Sequence, residues 1–543
     1  MNKTIFFFSA AVVAAGLSRG ADGELSVAGL FSDHMVLQRD KPVPIWGTAA
    51  AGAKISVSFG GVSVEGVAGT NGEWCTTLPA MSASKVPRSL TVVSRKIIQS
   101  DKPSSQRISI ADVLVGDVWL CSGQSNMEFC FASALGAKDE ADKAELYPNV
   151  RCVSFEKCRA FRPMKRVRCG KWTVCTSNAL MRSGVTAVGY YMARELNRKT
   201  GVPQGILNNN WGGCLIEPYI SLEGLKSVPH LDQWYAAPVE RAERERVKGN
   251  KWTWWYRQEC AIKYGKYLED CRKKGVDPEY LPQTPTTFQT YDVHHTTQYN
   301  AMIAPIARFP IAGALWYQGE SNVGQTDYAL KLEALVYGWR KSWGYDFPFC
   351  IFQLSSIGAP NADPSQNPPR PRTRSDQLSA THKIKDCGFV VTMDVGASFE
   401  HPLNKRDVGE RAALWALNRV YGRKDVVPSG PLFNGYAREG ESLRVNFKYV
   451  GGGLVAAEKD PDKPGVAPVP KNTKRVKGFT LQDEKGRWHA ADAVIDGASV
   501  LVSAPGVKAP KEVRYAHMDN TIGLADLYNA EGLPAAAFRT DWK

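Results

Sequence analysis

The sequence predicts an α/β fold: an open, mostly parallel sheet covered by helices on both faces, with β-rich modules before and after it. Three observations predict it. Between about residues 21 and 107, short apolar runs alternate with Gly, Pro and Asn turns, the texture of a small β-sandwich. From about Ile108, strand-like runs alternate with amphipathic helices, which implies a parallel sheet. After Pro428, strands and turns return and continue to the end. A chain of 543 residues is also too long for one hydrophobic core and suits two or three domains.

Residues 1–20, "MNKTIFFFSAAVVAAGLSRG", come first and are of another kind. Lys3 precedes an apolar run from Ile5 to Leu17, and Ser18 and Gly20 are the small residues of a signal-peptide cut before Ala21. The expectation is export, to the periplasm or the medium. The run is short for a bilayer and no second long apolar segment follows, so no membrane span is expected.

Residues 21–107 supply the strands "KPVPIWGTA", "AKISVSFGG" and "NGEWCTTLP". The segment 108–428 opens with "ADVLVGDVWL", a valine-rich run of the kind that forms a buried strand. "VTAVGYYMARELNRKTG" (185–201) predicts a helix with Val185, Val188 and Met192 on one face and Gly201 as its stop. "QGILNNNWGG", "IAGALWYQGESN" and "DCGFVVTMDVG" are strands that run into polar loops, and "RDVGERAALWALNRVYG" is a helix closed by Gly422. A charged, aromatic stretch at about 228–290 reads as a helical insertion, with Trp252, Trp254, Trp255 and Tyr256 packing it onto the body. Residues 429–543 read as a C-terminal β-rich module.

The net charge of +14 is spread along the whole chain rather than gathered in a stripe, so nucleic acid is not an expected partner. Twelve cysteines in so long a chain do not make a disulfide scaffold, although Cys152, Cys158, Cys169 and Cys175 cluster closely enough for a bridge or two. No C-x-x-C pair and no H-E-x-x-H occurs, so neither a metal nor a cofactor is expected.

Ligands of an open parallel sheet bind beyond the carboxyl ends of its strands. Four polar clusters stand there and should converge: Gly123-Gln124-Ser125-Asn126, Trp211-Gly212-Gly213, Gln318-Gly319-Glu320-Ser321-Asn322 and Glu400-His401-Pro402. A serine hydroxyl needs a base to act as a nucleophile, and acyl transfer needs donors for an oxyanion. Ser125 with His401 fits the first need; Ser125, Gly213 and Gln318 are the donors expected for the second. Met127 stands where an α/β-hydrolase elbow has its second glycine, which points to another serine-hydrolase architecture.

With these motifs in place, the chain resembles the sialate O-acetylesterases, a carbohydrate-esterase branch of the SGNH hydrolase superfamily. The resemblance rests on "LFSDHMVLQRDKPVPIWGTA", "VGDVWLCSGQSNME", "WGGCLIEPYIS", "YNAMIAPI", "WYQGESN", "HPLNKRDVGERAAL" and "GLPAAAFRTD", in family order along nearly the whole chain. It implies a flavodoxin-like three-layer catalytic domain with β-rich modules, and metal-free hydrolysis of acetyl esters on sugars, with an O-acetylated sialoglycan as substrate. Carried over, Ser125 is the nucleophile, His401 the base, and Gly213 and Gln318 join the Ser125 N–H in the oxyanion hole. Asn126, Glu320, Asn300 and Arg374 are the candidate substrate contacts, Arg374 for a sialate carboxylate. Relatives usually carry an acid shortly before the histidine, where this chain has Ser398 and Phe399. The third member is therefore open between Asp394, placed first, Glu320, and a dyad oriented by a backbone carbonyl. The alternatives in function are an acetylxylan or other polysaccharide acetylesterase and, from another class, a glycan-binding protein with an impaired site.

Overall fold

The computed structural model describes residues 23–96, 104–160, 162–182, 184–231, 273 and 295–541. The expected signal segment and most of the 228–290 insertion, including Trp252, Trp254, Trp255 and Tyr256, lie outside the described residues. The chain divides into two units, one of Met1–Ala28, Pro44–Leu78 and Leu90–Ser109, the other of Gly29–Val43, Pro79–Ser89 and Ile110–Lys543.

The first unit is antiparallel β-structure. Strand Lys54–Phe59 pairs on one side with Val62–Val67 and on the other with residues 91–95. Gly60 and Gly61 close its hairpin with φ of 61° and 86°, which a two-residue turn between twisted strands requires. Alternation decides which side faces in: Ile55, Val57 and Phe59 are buried while their neighbours are not, and Trp74, Thr76 and Leu78 repeat the pattern in Glu73–Leu78.

The second unit carries the central sheet. Its strands are β1 (Ser104–Gly123, in this unit from Ile110 on), β2 (Val150–Ser154), β3 (Thr173–Val174), β4 (Gln204–Asn208), β5 (Gly313–Tyr317), β6 (Phe349–Phe352) and β7 (Cys387–Val390), in the order β3-β2-β4-β1-β5-β6-β7. All neighbours run parallel except the edge pair β3–β2. The parallel strands β4, β5 and β6 are buried from end to end, as expected where both faces are covered.

Five helices matter for the site: α1 (Ser125–Glu128), α2 (Ala187–Thr200), α3 (Tyr328–Trp343), α4 (Pro369–Lys383) and α5 (Lys405–Arg419). Leu315 and Tyr317 of β5 belong to one apolar core with Val188, Met192 and Leu196 of α2 and with Val408, Ala412 and Trp415 of α5. Trp316, between them in sequence, meets Trp339 of α3 edge-on at 5.7 Å. Since successive strand residues point to opposite faces, helices cover both faces of this sheet.

Helix α2 has the expected stop: Gly201 adopts φ 71° and its N–H returns to the Asn197 carbonyl. Helix α5 ends at Arg419 instead of reaching Gly422. The Tyr421 N–H turns back to the Ala416 carbonyl, and Gly422, at φ 70°, serves the following turn. Residues beyond 429 build three small sheets within the second unit, the largest ordered Leu432–Glu439, Ser442–Lys448, Ser499–Ser503, Asp492–Asp496, Arg475–Val476. The ten cysteines among the described residues are all free thiols, so the bridges considered for Cys152, Cys158, Cys169 and Cys175 are not formed. Burial pushes the Cys152 thiol up to about 12, which makes it an inert core residue.

Candidate active site

Strand β1 ends at Gly123, where φ is 135° and a Cβ would fall 2.2 Å from the Tyr317 carbonyl oxygen; only glycine fits against β5 there. The Gln124 N–H donates to that same carbonyl at 3.0 Å. The chain then turns into α1, whose Met127 and Glu128 N–H groups donate to the Gln124 carbonyl at 2.9 Å each. Ser125 is thus the first helical residue, half-buried between the buried Gln124 and Asn126.

The four polar clusters come together. His401 Nε2 lies 2.8 Å from Ser125 Oγ. The Gly212 Cα faces Ser125 so closely that a Cβ there would lie 3.4 Å from the Ser125 Cβ. Gln124 Oε1 accepts from the Gly319 and Ser321 N–H groups at 3.3 Å each. The Asn126 amide donates to Glu320 Oε1 at 2.6 Å and to the Glu400 carbonyl at 3.1 Å. The Ser125 and Gly213 N–H groups donate to no carbonyl or side chain among the described residues. Glu128, which the sequence reading passed over, accepts from the Gly212 N–H and is paired with Lys157, fixing the glycine loop beside Ser125.

His401 follows β7 on a loop held by the Ala397 N–H on the Ser356 carbonyl and the Leu135 N–H on the Leu403 carbonyl. Burial, and then the nearby Lys405 ammonium, hold its imidazole below the usual histidine pKa, against the opposing pull of Glu320, Glu400 and Glu128. A neutral imidazole at that distance can take the serine proton.

Several sequence expectations are corrected. Asp394 does not reach His401: its carboxylate is bidentate on Arg411, at 2.7 Å to each guanidinium nitrogen, and also accepts from Tyr528 at 3.3 Å. Among the described residues no carboxylate bonds His401 Nδ1. Gln318 is not a free oxyanion donor: its amide donates to the Cys214 carbonyl at 3.0 Å and to Asn322 Oδ1 at 2.7 Å, while Tyr328 OH donates to its Oε1 at 2.6 Å. It pins the Cys214 carbonyl, one residue past Gly213. Arg374 is no sugar contact, because it is fully buried and donates to the carbonyls of Leu354, Ser355, Met518 and Asp519. Burial lowers its pKa to about 9. Asn300 is also spent internally, on the Ala160 carbonyl at 3.1 Å. Asn126 is wholly occupied by protein partners as well, Lys405 Nζ donating to its Oδ1. Of the expected substrate contacts only Glu320 is partly exposed, and its Oε2 makes no hydrogen bond among the described residues.

Lys405 was missed at the sequence level, although it stands four residues after His401 in "HPLNKRDVGERAAL". A lysine in a helix's first turn reads as solvated; here it is 1% exposed.

No family model matches the chain. It is 30% identical to a carbohydrate acetylesterase from Xanthomonas citri, whose crystal structure matches with a TM-score of 0.73 over 95% of this chain and 100% of that one. Fold and site together define an ester hydrolase of the carbohydrate-esterase class. Sialate O-acetylesterase of Rattus norvegicus is 28% identical over 453 residues, 78% of each chain. That of Homo sapiens is 26% identical over 438 residues, 75% of this chain and 73% of its own. The chain belongs to the family of the carbohydrate acetylesterases, and these sialate O-acetylesterases are its more distant relatives.

Proposed function

We propose that this enzyme removes acetyl groups from the hydroxyls of carbohydrates, sialic acids first among them, by a Ser125–His401 dyad working through an acetyl-enzyme. The observation that carries the mechanism is the 2.8 Å contact between His401 Nε2 and Ser125 Oγ at the end of β1. Ser125 Oγ attacks the acetyl carbonyl while His401 takes its proton. The N–H groups of Ser125 and Gly213 receive the oxyanion. Collapse breaks the ester bond, and His401 returns the proton to the leaving sugar oxygen. Water, deprotonated by the same imidazole, then attacks the acetyl carbon; the bond to Ser125 Oγ breaks, His401 gives the proton back to Oγ, and acetate leaves.

A metal has no step in this sequence. The strand order supports the flavodoxin-like three-layer reading: β1, β4, β5, β6 and β7 stand in the order β4-β1-β5-β6-β7, with β2 and β3 added at one edge. The residue pattern at the N-terminus supports export, and no helix of the described residues is long and apolar enough to cross a membrane. The impaired glycan-binding alternative rests on the missing third acid, and the hydrogen-bond contact between Ser125 and His401 weighs against it.

The sialate preference rests on the relatives named sialate O-acetylesterase. With Arg374 buried, the one side chain expected to meet a sialate carboxylate is enclosed, so acetylated polysaccharide is kept as the competing substrate. Hydrolysis of 4-nitrophenyl acetate by the parent and Ser125→Ala tests the mechanism: kcat should fall at least ~10³-fold in the folded variant. Normal turnover by that variant refutes the nucleophile. Acetate release from O-acetylated sialosides against acetylxylan then ranks the substrates, and a preference for xylan overturns the sialate assignment.

A further inference from the structure

Behind the Ser125–His401 pair lies a buried ammonium that the mechanism above does not use. Lys405 begins α5 and is 1% exposed. Its Nζ donates to Asn126 Oδ1 and sits 4.8 Å from the Phe129 ring centroid and 5.6 Å from that of Tyr317. No carboxylate bonds it directly among the described residues; its nearest anion in the network is Glu320, one residue further along through the Asn126 amide. A buried cation held by an amide and two aromatic faces is costly to desolvate. Such a group is seldom a stability device, because replacing buried charge by an apolar side chain is often neutral or stabilising.

Its placement gives it a use. Asn126 follows the nucleophile, and its amide bonds the carbonyl of Glu400, the residue before the histidine. Phe129, under the ammonium, also lies 6.5 Å from the His401 ring, centroid to centroid. One side chain therefore touches the hinge between the two catalytic segments.

We propose that Lys405 is a positioning residue: through Asn126 it ties the serine turn to the histidine loop and, when protonated, sets a positive charge near the imidazole. The inference rests on the Ser125–His401 reading. The charge has a chemical purpose. A base that must accept a proton from serine works only while neutral, and a nearby cation opposes its premature protonation. The other charges facing His401 are Glu320, Glu400 and Glu128, all of which favour protonation, and Arg370 is paired with Glu400 at 3.3 Å. Lys405 is the cation that offsets them. Burial lowers its own pKa to about 7, above the ordinary histidine value, so it is mostly charged where the imidazole titrates.

The test uses two variants of the full chain. Lys405→Gln keeps a donor for Asn126 and removes the charge; Lys405→Met removes both. kcat/KM for 4-nitrophenyl acetate is measured against pH, with circular dichroism to verify folding. In both variants the acid limb should move to higher pH. The plateau should fall further in Lys405→Met, by about 10- to 100-fold, the scale of a small misplacement of reacting groups, than in Lys405→Gln. A parental acid limb in the folded Gln variant overturns the proposal, whatever its plateau. Should the Met variant not fold, the Gln variant alone carries the decision. Failure of the underlying dyad is a separate result, read from Ser125→Ala retaining turnover.

Discussion

Asp394→Asn separates the architecture seen here from a serine triad. Asp394 and Arg411 have side chains only 8% and 10% exposed and share two hydrogen bonds of 2.7 Å, with Tyr528 OH adding a third at 3.3 Å. Burial alone would lower the Arg411 pKa, yet the Asp394 charge and hydrogen bonds raise it above the usual value. The variant takes away the anion and turns an NH2 group toward guanidinium donors. Removing one partner of a buried pair costs about 3–5 kcal/mol. The carbonyl oxygen of Asn retains one acceptor, which places this change near ~3 kcal/mol, or about 10²-fold in the folding equilibrium. Little screening discount applies to groups so enclosed. Urea denaturation followed by fluorescence should show the lowered midpoint. kcat and the acid limb of kcat/KM, measured below the transition on 4-nitrophenyl acetate, should stay parental. The opposite pattern, an undisturbed midpoint with kcat down by up to ~10⁴-fold, is the signature of a lost triad acid. It would sink the assignment of Asp394 to a structural pair.

Three further outcomes are expected. Since His401 is held below the ordinary histidine value by burial and Lys405, activity should persist as pH falls past that value and be lost only as the imidazole protonates; a pH–rate profile whose acid limb lies above pH 6.5 would contradict this. Gln318→Ala strips hydrogen bonds from buried Cys214, Asn322 and Tyr328 groups, so it should cost stability, about 1–3 kcal/mol for each group left unpaired. A variant of parental stability with kcat reduced ~10²-fold would restore Gln318 to the oxyanion hole. EDTA should leave hydrolysis intact, and activity that vanishes with chelator and returns with one metal would refute the serine mechanism.

The elements of this chain were legible because they rest on local rules. Period-two burial marks Lys54–Phe59 and Glu73–Leu78, continuous apolar runs mark β4 and β5, and Gly201 ends α2. The convergence of Ser125, Gly213, Gln318 and His401 was legible for a global reason that still needs no side-chain detail: parallel strands deliver their carboxyl ends to one edge. What each polar side chain does there could not be read in the same way. Asp394, Arg374, Asn300 and Gln318 have the right chemistry for a site, yet each is claimed by buried partners: Arg411, the carbonyls near Met518, the Ala160 carbonyl and Asn322 with Cys214. Lys405 is the reverse case, a residue whose type and position suggest solvent and whose burial against Phe129 and Tyr317 puts it behind Ser125. Sequence by itself determined which strands form and where their polar ends meet, because backbone pairing and apolar periodicity are encoded within each segment. Only the tertiary structure decided which of those polar groups remain free to act, because a buried donor or acceptor must be satisfied by whatever the fold sets beside it.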